Sequence, residues 1–583
     1  MIVAQPEQQH LSLFFLEGAL VLLAVLLPFA APRLGSGLFL PIERAFRRLA
    51  HRRGLAVLVV GLTELLLRLA ILPILPIPKP FIPDDFSFLL SADTFAHGRL
   101  ANPTPALWQH FESLQISLIP TYGSMYFPAD GLVLALGQVT VGIPWLGLLL
   151  FTAFAAAALC WMLQAWLPPT WALLGGFLFV LRLGLFSYWI NPYTGAGMIA
   201  VLGGALVLGA FPRLKRHLRH RDALWLAIGI ILLILSRPYE GVLLCLPVLV
   251  ALLLWIFRGK RRPTTAALAR TAAVPLLLIV ACIAWLGYFD ARNFGSPTTL
   301  PYTLNRAQYA YVPYYIWQKP RPEPTYRFPE IRGFYEKYEM GVIKNVWTPS
   351  GLAEITLTKG LRSFLFFAAI ALWPPLIFSM RVLKDRRTRF LIVALAVFAI
   401  GMAIEIFLVP HYMAVFTAVF YALGLQAMRH MRVWQAGGQP TGILIVRLLV
   451  IACIVMVGLR LAARPLGVQI SEWPSNTWAG TWIGPGNFGQ ERAAIAAQLA
   501  AMPGRQIAIV HYEPGHEPTR EWVYNGADLE GTNVLWAREM TPAENQQLID
   551  HYSGRTVWLV EPDTTPVRLT PYTGSPSVTV PAR

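Results

Sequence analysis

Charge is scarce in this sequence. Asp, Glu, Lys and Arg make up only 14% of its 583 residues, 56% are hydrophobic, and the mean hydropathy is +0.52. So little charge over so much apolar surface excludes the water-soluble classes, and the bilayer must be the solvent. Cysteine is scarce too. Cys160, Cys245, Cys282 and Cys453 all lie inside apolar runs. None falls in a CxxC or a Cys/His ligand spacing, so they read as buried thiols and say nothing about redox compartment. No GxxxxGK[ST] loop, no GxGxxG between a strand and a helix and no GxSxG occurs, which removes an ATP-driven pump and a serine hydrolase. The net charge of +17 is not the footprint of a nucleic-acid binder, because the basic residues form short clusters between apolar runs and no single stripe.

What is there is a series of apolar stretches of helix-spanning length. They lie near residues 11–31, 55–76, 132–166, 168–189, 194–211, 222–236, 238–257, 268–289, 359–380, 389–409, 411–428 and 442–463. The first exceeds a signal-peptide core, has no basic segment before it and no small-residue cleavage site after it, so it reads as a retained helix. The expectation is a multi-pass α-helical membrane protein with about 12 transmembrane helices. Basic clusters at 44–53, 213–221, 258–262, 381–389 and 429–432 all fall on one side if these spans alternate. Positive residues resist translocation, so that side is cytoplasmic. Residues 78–130, residues 290–357 and everything after 463 are then external.

The domain reading is a membrane domain over 1–463 and a small soluble α/β domain over 464–583. The tail carries eight Arg, no Lys and twelve Asp or Glu, a net charge of about −4. Within it, Glu491 to Met502 reads as an amphipathic helix, Gln506 to Tyr512 and Thr556 to Glu561 as short strands, and Thr541 to Tyr552 as a second helix. Thr541 followed by Glu544 is a capping-box pattern. His511 and His516 match no standard metal-ligand spacing.

Ionisable groups close to a bilayer are expensive and mark pathways or sites. The first external segment is the richest in them. In Phe81-Ile82-Pro83-Asp84-Asp85-Phe86, Pro83 and the acid pair open a helix that Gly98 closes, and Phe88, Leu89, Ala92 and Ala96 recur at helical spacing. The segment reads as a helix lying along the membrane surface. N-terminal capping is the competing explanation for both aspartates. A third carboxylate, Glu112, follows in Trp108-Gln109-His110-Phe111-Glu112-Ser113, and then an aromatic stretch from Pro120 through Tyr122 to Pro128.

A multipass chain whose first long external loop begins with an acid pair and a surface helix ending in Gly resembles the GT-C membrane glycosyltransferases, the fold of protein mannosyltransferases and aminoarabinose transferases. The resemblance implies transfer of a sugar from a polyprenyl-phosphate donor, with Asp84 or Asp85 as catalytic carboxylate and Glu112 as the second loop acid. In the better-known bacterial pattern Lys-Pro follows that acid; here Ser113-Leu114 does. Arg237, in Ser236-Arg237-Pro238-Tyr239-Glu240-Gly241, resembles the family's Arg-Pro-x-Gly turn and is the first choice for the lipid phosphate; its competing role is an ion pair with Glu240. His110, Tyr122, His411 and Tyr412 complete the expected substrate contacts, although His411 and Tyr412 also suit interfacial anchoring. Glu64 and Arg68, spaced i,i+4, read as a pair, and Arg182 as a snorkelling residue.

The sequence leaves open whether a divalent cation, magnesium or manganese, joins Asp84 and Asp85, and names neither the sugar nor the acceptor, be it glycan, lipid or protein. The partners expected are the lipid-linked donor and membrane lipid, with no nucleic acid. The location expected is a bacterial inner membrane with the tail in the periplasm. A transporter or flippase of lipid-linked saccharide or small solutes is the alternative, but the two halves of the hydropathy profile do not repeat as transporter halves do.

Overall fold

A computed structural model describes residues 13–574 other than 195, 260–261, 344–345, 369, 408, 464 and 469–488. Leu11 and Ser12 of the first apolar run, and Lys260 and Arg261 of the third basic cluster, lie outside the described residues. The protein is mostly helical, and all twelve apolar runs form helix.

Seven helices among the described residues are long and apolar enough to cross a membrane, or eight if the pair Pro349–Phe367 and Ile370–Lys384, bent by 91°, counts as one span. The other expected spans fall short of that length and composition for identifiable reasons. The run near 132–166 splits into Pro128–Val141 and Pro144–Trp166, because Gly142 turns left-handed (φ +73°) one residue before Ile143-Pro144. His220–Ser236 and Arg389–Ile404 have only 17 and 16 residues. Arg53–Ala70 carries Arg53, Glu64 and Arg68. The run near 168–189 ends its α-helix at Phe179 and continues as a π-turn, Val180–Gly184, into irregular backbone.

Gly197–His217 forms the centre of the bundle and is buried along nearly all of its apolar stretch, whereas the apolar stretch of Thr265–Phe294 is mostly exposed and presents Val274, Leu276, Leu277 and Val280 outward. An outward apolar surface of this kind is what lipid requires of a spanning helix. Close backbone packing joins Pro128–Val141 to Pro144–Trp166, where a Cβ on Gly147 would collide with the Val133 carbonyl. The basic cluster at 44–53 is no plain loop: Ser36–His51 is a helix between the first two apolar runs.

Three short strands order the first external segment: β1 (Asn102–Pro103), β2 (Ile116–Ser117) and β3 (Thr121–Ser124), antiparallel with β3 central. The tail holds a four-stranded sheet of order β5-β4-β6-β7, with β4 (Gln506–Val510), β5 (Val534–Arg538), β6 (Thr556–Glu561) and β7 (Arg568–Pro571). β4 pairs in parallel with β5 and β6, and β7 is antiparallel on β6. Helices Gln490–Ala500 and Pro542–His551 flank these strands in sequence, close to the expected boundaries. The capping box is present: Thr541 accepts from the Glu544 N–H and Glu544 returns to the Thr541 N–H. Thr541→Ala is therefore expected to lower the unfolding free energy of the tail by about 1 kcal/mol in denaturant melts.

Candidate functional site

The site is built on the helix Pro83–Ala96. Ile82 is extended, Pro83 occupies the first helical position, and the aspartates fall in the first turn, where exposed backbone N–H groups and the helix dipole favour negative charge. Gly98, at φ +69°, ends it. The helix does not lie open on a membrane surface. Nine of its residues are buried, and it packs between Pro128–Val141 and the tail. The reason is sequence-distant: Phe86 stacks on Tyr524 at 4.7 Å, and Asp93 accepts from the Ala527 N–H at 2.7 Å.

The two aspartates differ in role. Asp85 is fully buried, and its oxygens accept the backbone N–H groups of Tyr193 (2.7 Å) and Phe81 (3.3 Å). Burial pushes its carboxyl up to about 7, against the pull of those N–H groups. Asp84 is half-buried and accepts from the Tyr126 hydroxyl at 2.6 Å. Burial raises its carboxyl too, opposed by the Tyr126 hydrogen bond and the Arg237 charge.

Arg237 begins the helix Pro238–Arg258 as its N-cap. Its guanidinium lies 4.7 Å from the centre of the Tyr412 ring and 3.6 Å from Glu240. Its Nε is buried without a hydrogen-bond partner among the described residues. Asp84, Asp130, Tyr302 and His411 are all within electrostatic reach of this cation. His411 Nδ1 is 2.9 Å from the Tyr188 hydroxyl, which in turn accepts the His411 N–H at 3.0 Å. Tyr126, stacked on Phe88 at 4.3 Å, meets Tyr302 edge-on at 5.5 Å. The result is a carboxylate with one hydroxyl partner and a guanidinium able to take an anion, set in aromatic walls.

Asp84, Arg237, His411 and Tyr412 are thus brought together. Glu112, His110 and Tyr122 are not brought to them. Glu112 sits near Tyr309, with Arg327 Nε 3.6 Å away, and its carbonyl accepts from Arg538 Nε at 2.5 Å. Burial raises the Glu112 carboxyl. His110 Nδ1 is 3.1 Å from the Arg538 carbonyl, and burial lowers its imidazole pKa. Tyr122 donates to the Asn525 carbonyl at 2.8 Å. All three lie where the external loop meets the tail. Arg538, paired with Glu521 at 2.7 Å, and Arg492, whose guanidinium lies between Phe86 (4.7 Å) and Trp536 (4.5 Å), hold that contact.

Sequence reasoning missed Tyr126 and Asp130; Tyr302 falls in the aromatic external segment 290–357, whose composition suits either sugar stacking or packing against headgroups. Of the two missed, only Asp130 left a signal: Pro128-Ala129-Asp130 places an acid two residues after a helix-starting proline, as Pro83-Asp84-Asp85 does. The expected Glu64–Arg68 pair stays within electrostatic reach but forms no hydrogen bond. Arg68 donates to the Leu75 carbonyl (2.9 Å) and Asn191 (3.1 Å), and neither Glu64 oxygen has a hydrogen bond among the described residues. The irregular backbone after the π-turn draws Arg68 away, and that backbone carries Tyr193, the Asp85 partner. Arg182 lies 3.8 Å from Glu17.

The acid pair does not fit a shared divalent cation. Both Asp85 oxygens are committed to N–H donors, and no group of three or more His, Cys, Asp or Glu with metal-holding geometry exists among the described residues.

No family model and no curated protein matches the chain. Among solved structures it is similar to the apo oligosaccharyltransferase of Archaeoglobus fulgidus, at 12% identity and TM-score 0.44 over 87% of this chain and 69% of that one. It is also similar to ArnT from Cupriavidus metallidurans bound to undecaprenyl phosphate, at 12% identity and TM-score 0.47 over 87% and 92%. A third is the arabinofuranosyltransferase AftD from Mycobacteria, at 14% identity and TM-score 0.40 over 88% of this chain and 36% of that one.

Proposed function

We propose that this chain is an integral membrane glycosyltransferase that moves a sugar from a polyprenyl-phosphate donor to an acceptor hydroxyl. Residues 1–463 form the membrane domain, with the site at its outer face, and 464–583 a periplasmic domain of a bacterial inner-membrane protein. The observation that carries this reading is the pairing of Asp84 with Arg237: a half-buried carboxylate within reach of a buried guanidinium whose Nε has no hydrogen bond among the described residues.

In the reaction, the acceptor oxygen attacks the anomeric carbon while the bond from that carbon to the phosphate oxygen breaks. The electron pair leaves on the lipid phosphate, held by Arg237. The acceptor proton passes to Asp84, and the anomeric configuration inverts. Tyr126 orients the Asp84 carboxylate, and Tyr412 and His411 wall the phosphate side.

The test is transfer from a pool of radiolabelled polyprenyl-phosphate sugars by the purified protein. Label moving to an acceptor supports the reading. Label that stays on every donor, with the same donors carried across the bilayer of proteoliposomes, would replace it with the transporter reading.

A further inference from the structure

The helix Ser36–His51 has three faces, and the proposed transfer reaction uses none of them. One face is bound to the bundle. Phe39, Glu43, Phe46 and Ala50 recur at three- and four-residue spacing on it. Phe46 meets Phe177 at 6.0 Å, Phe39 lies under Arg447 at 4.9 Å, and Ala50 is fully buried. Glu43, the helix's one acid, is taken internally by Arg432 (3.1 Å) and Arg447 (2.9 Å).

The second face is apolar and outward. Leu38 and Ile42 are 68% and 57% exposed, with Ala45 exposed beside them. The third carries Arg44, Arg47, Arg48 and His51, all exposed, and Arg52 and Arg53 continue it at the helix end. With Glu43 already committed, no acidic side chain forms an ion pair with Arg44, Arg47 or Arg48 among the described residues. The helix therefore offers apolar side chains and free cations side by side, and the apolar helix Leu13–Ala30 precedes it while Arg53–Ala70 follows.

We infer that Ser36–His51 is a seat for anionic phospholipid headgroups. Leu38, Ile42 and Ala45 dip into the acyl boundary, and the arginines hold phosphates at the leaflet surface. The occupant follows from charge and depth. A zwitterionic headgroup brings no net negative charge to offset three or more guanidiniums, and a soluble anion would leave the apolar stripe in water. The seat also anchors the bundle, because Glu43 ties this helix to the later helices through Arg432 and Arg447.

Hydrogen exchange of the full-length protein in nanodiscs tests this. Discs of phosphatidylcholine alone are compared with discs that also contain phosphatidylglycerol. Amides 36–51 are expected to exchange about tenfold more slowly with phosphatidylglycerol. The combined Arg44→Gln, Arg47→Gln and Arg48→Gln variant is expected to lose that slowing while residues 197–217 keep their wild-type protection. Equal exchange of the wild-type helix in both discs would overturn the inference, and this arm needs no variant to fold. Full slowing retained in the triple variant would overturn it as well.

Discussion

Asp84→Asn is expected to lower sugar transfer by about 10²- to 10⁴-fold in a protein that still folds, whereas Asp85→Asn is expected to lose stability first. The two side chains are neighbours in sequence and opposites in surroundings. Asp84 keeps a side open to the site, and the hydrogen bonds it accepts from Tyr126 and the Gln115 side chain leave it able to take a proton. An asparagine there keeps the shape and removes the base. Asp85 is closed off, with one oxygen on the Tyr193 N–H and the other on the Phe81 N–H. Asparagine in that place turns a donor toward one of those donors, at a cost of about 1–3 kcal/mol.

Acidity separates the two further. Burial raises the Asp84 carboxyl, so the rate should rise with pH through that raised value and level off once the base is ionised. For Asp85 the folded value of about 7 lies above the unfolded carboxylate near 4, so the folded chain binds the extra proton between them. Its contribution to stability therefore falls as pH rises from about 4 to 7 and is constant above. Asp85→Asn should flatten that part of a melting-temperature profile. Transfer that survives in Asp84→Asn, with matched thermal melts for both variants, would remove Asp84 as the base.

The acid helix was legible because its cues are local: a proline, two carboxylates and a closing glycine within sixteen residues. Which aspartate faces the site was not legible, because the answer is the backbone of Tyr193, 108 positions away. The same limit explains Glu112, His110 and Tyr122. They have the residue types of a site, but their partners Arg538 and Asn525 lie more than 400 positions downstream. The tail read correctly as α/β where its strands are apolar and flanked by helix signals. Its contact with the first external loop was not legible, because nothing near Arg492 indicates that Phe86 and Trp536 enclose it. Arg237 was singled out as a cation at an outer helix end in a turn that resembles the family's Arg-Pro-x-Gly; that Glu240 is only an imperfect partner for it was legible from the fold alone.

That imperfect partnership fixes the outcome expected for Arg237→Ala. Glu240 is 3.6 Å away, beyond a hydrogen bond, and the Tyr412 ring offers only its face. A lipid phosphate would make the charge-assisted bonds the guanidinium lacks, so its loss should raise the donor KM about 100-fold or more. Stability should fall as well, by about 3–5 kcal/mol, because Glu240 is then buried without its counter-charge. Two further variants divide these effects. Arg237→Lys keeps the charge and should recover the fold but only part of the donor affinity, since an ammonium cannot grip a phosphate with two parallel bonds. Arg237→Ala combined with Glu240→Gln removes both charges and should recover stability with donor binding still lost. If that double variant binds donor as the wild type does in steady-state kinetics, Arg237 is an internal ion-pair partner and the phosphate is held elsewhere.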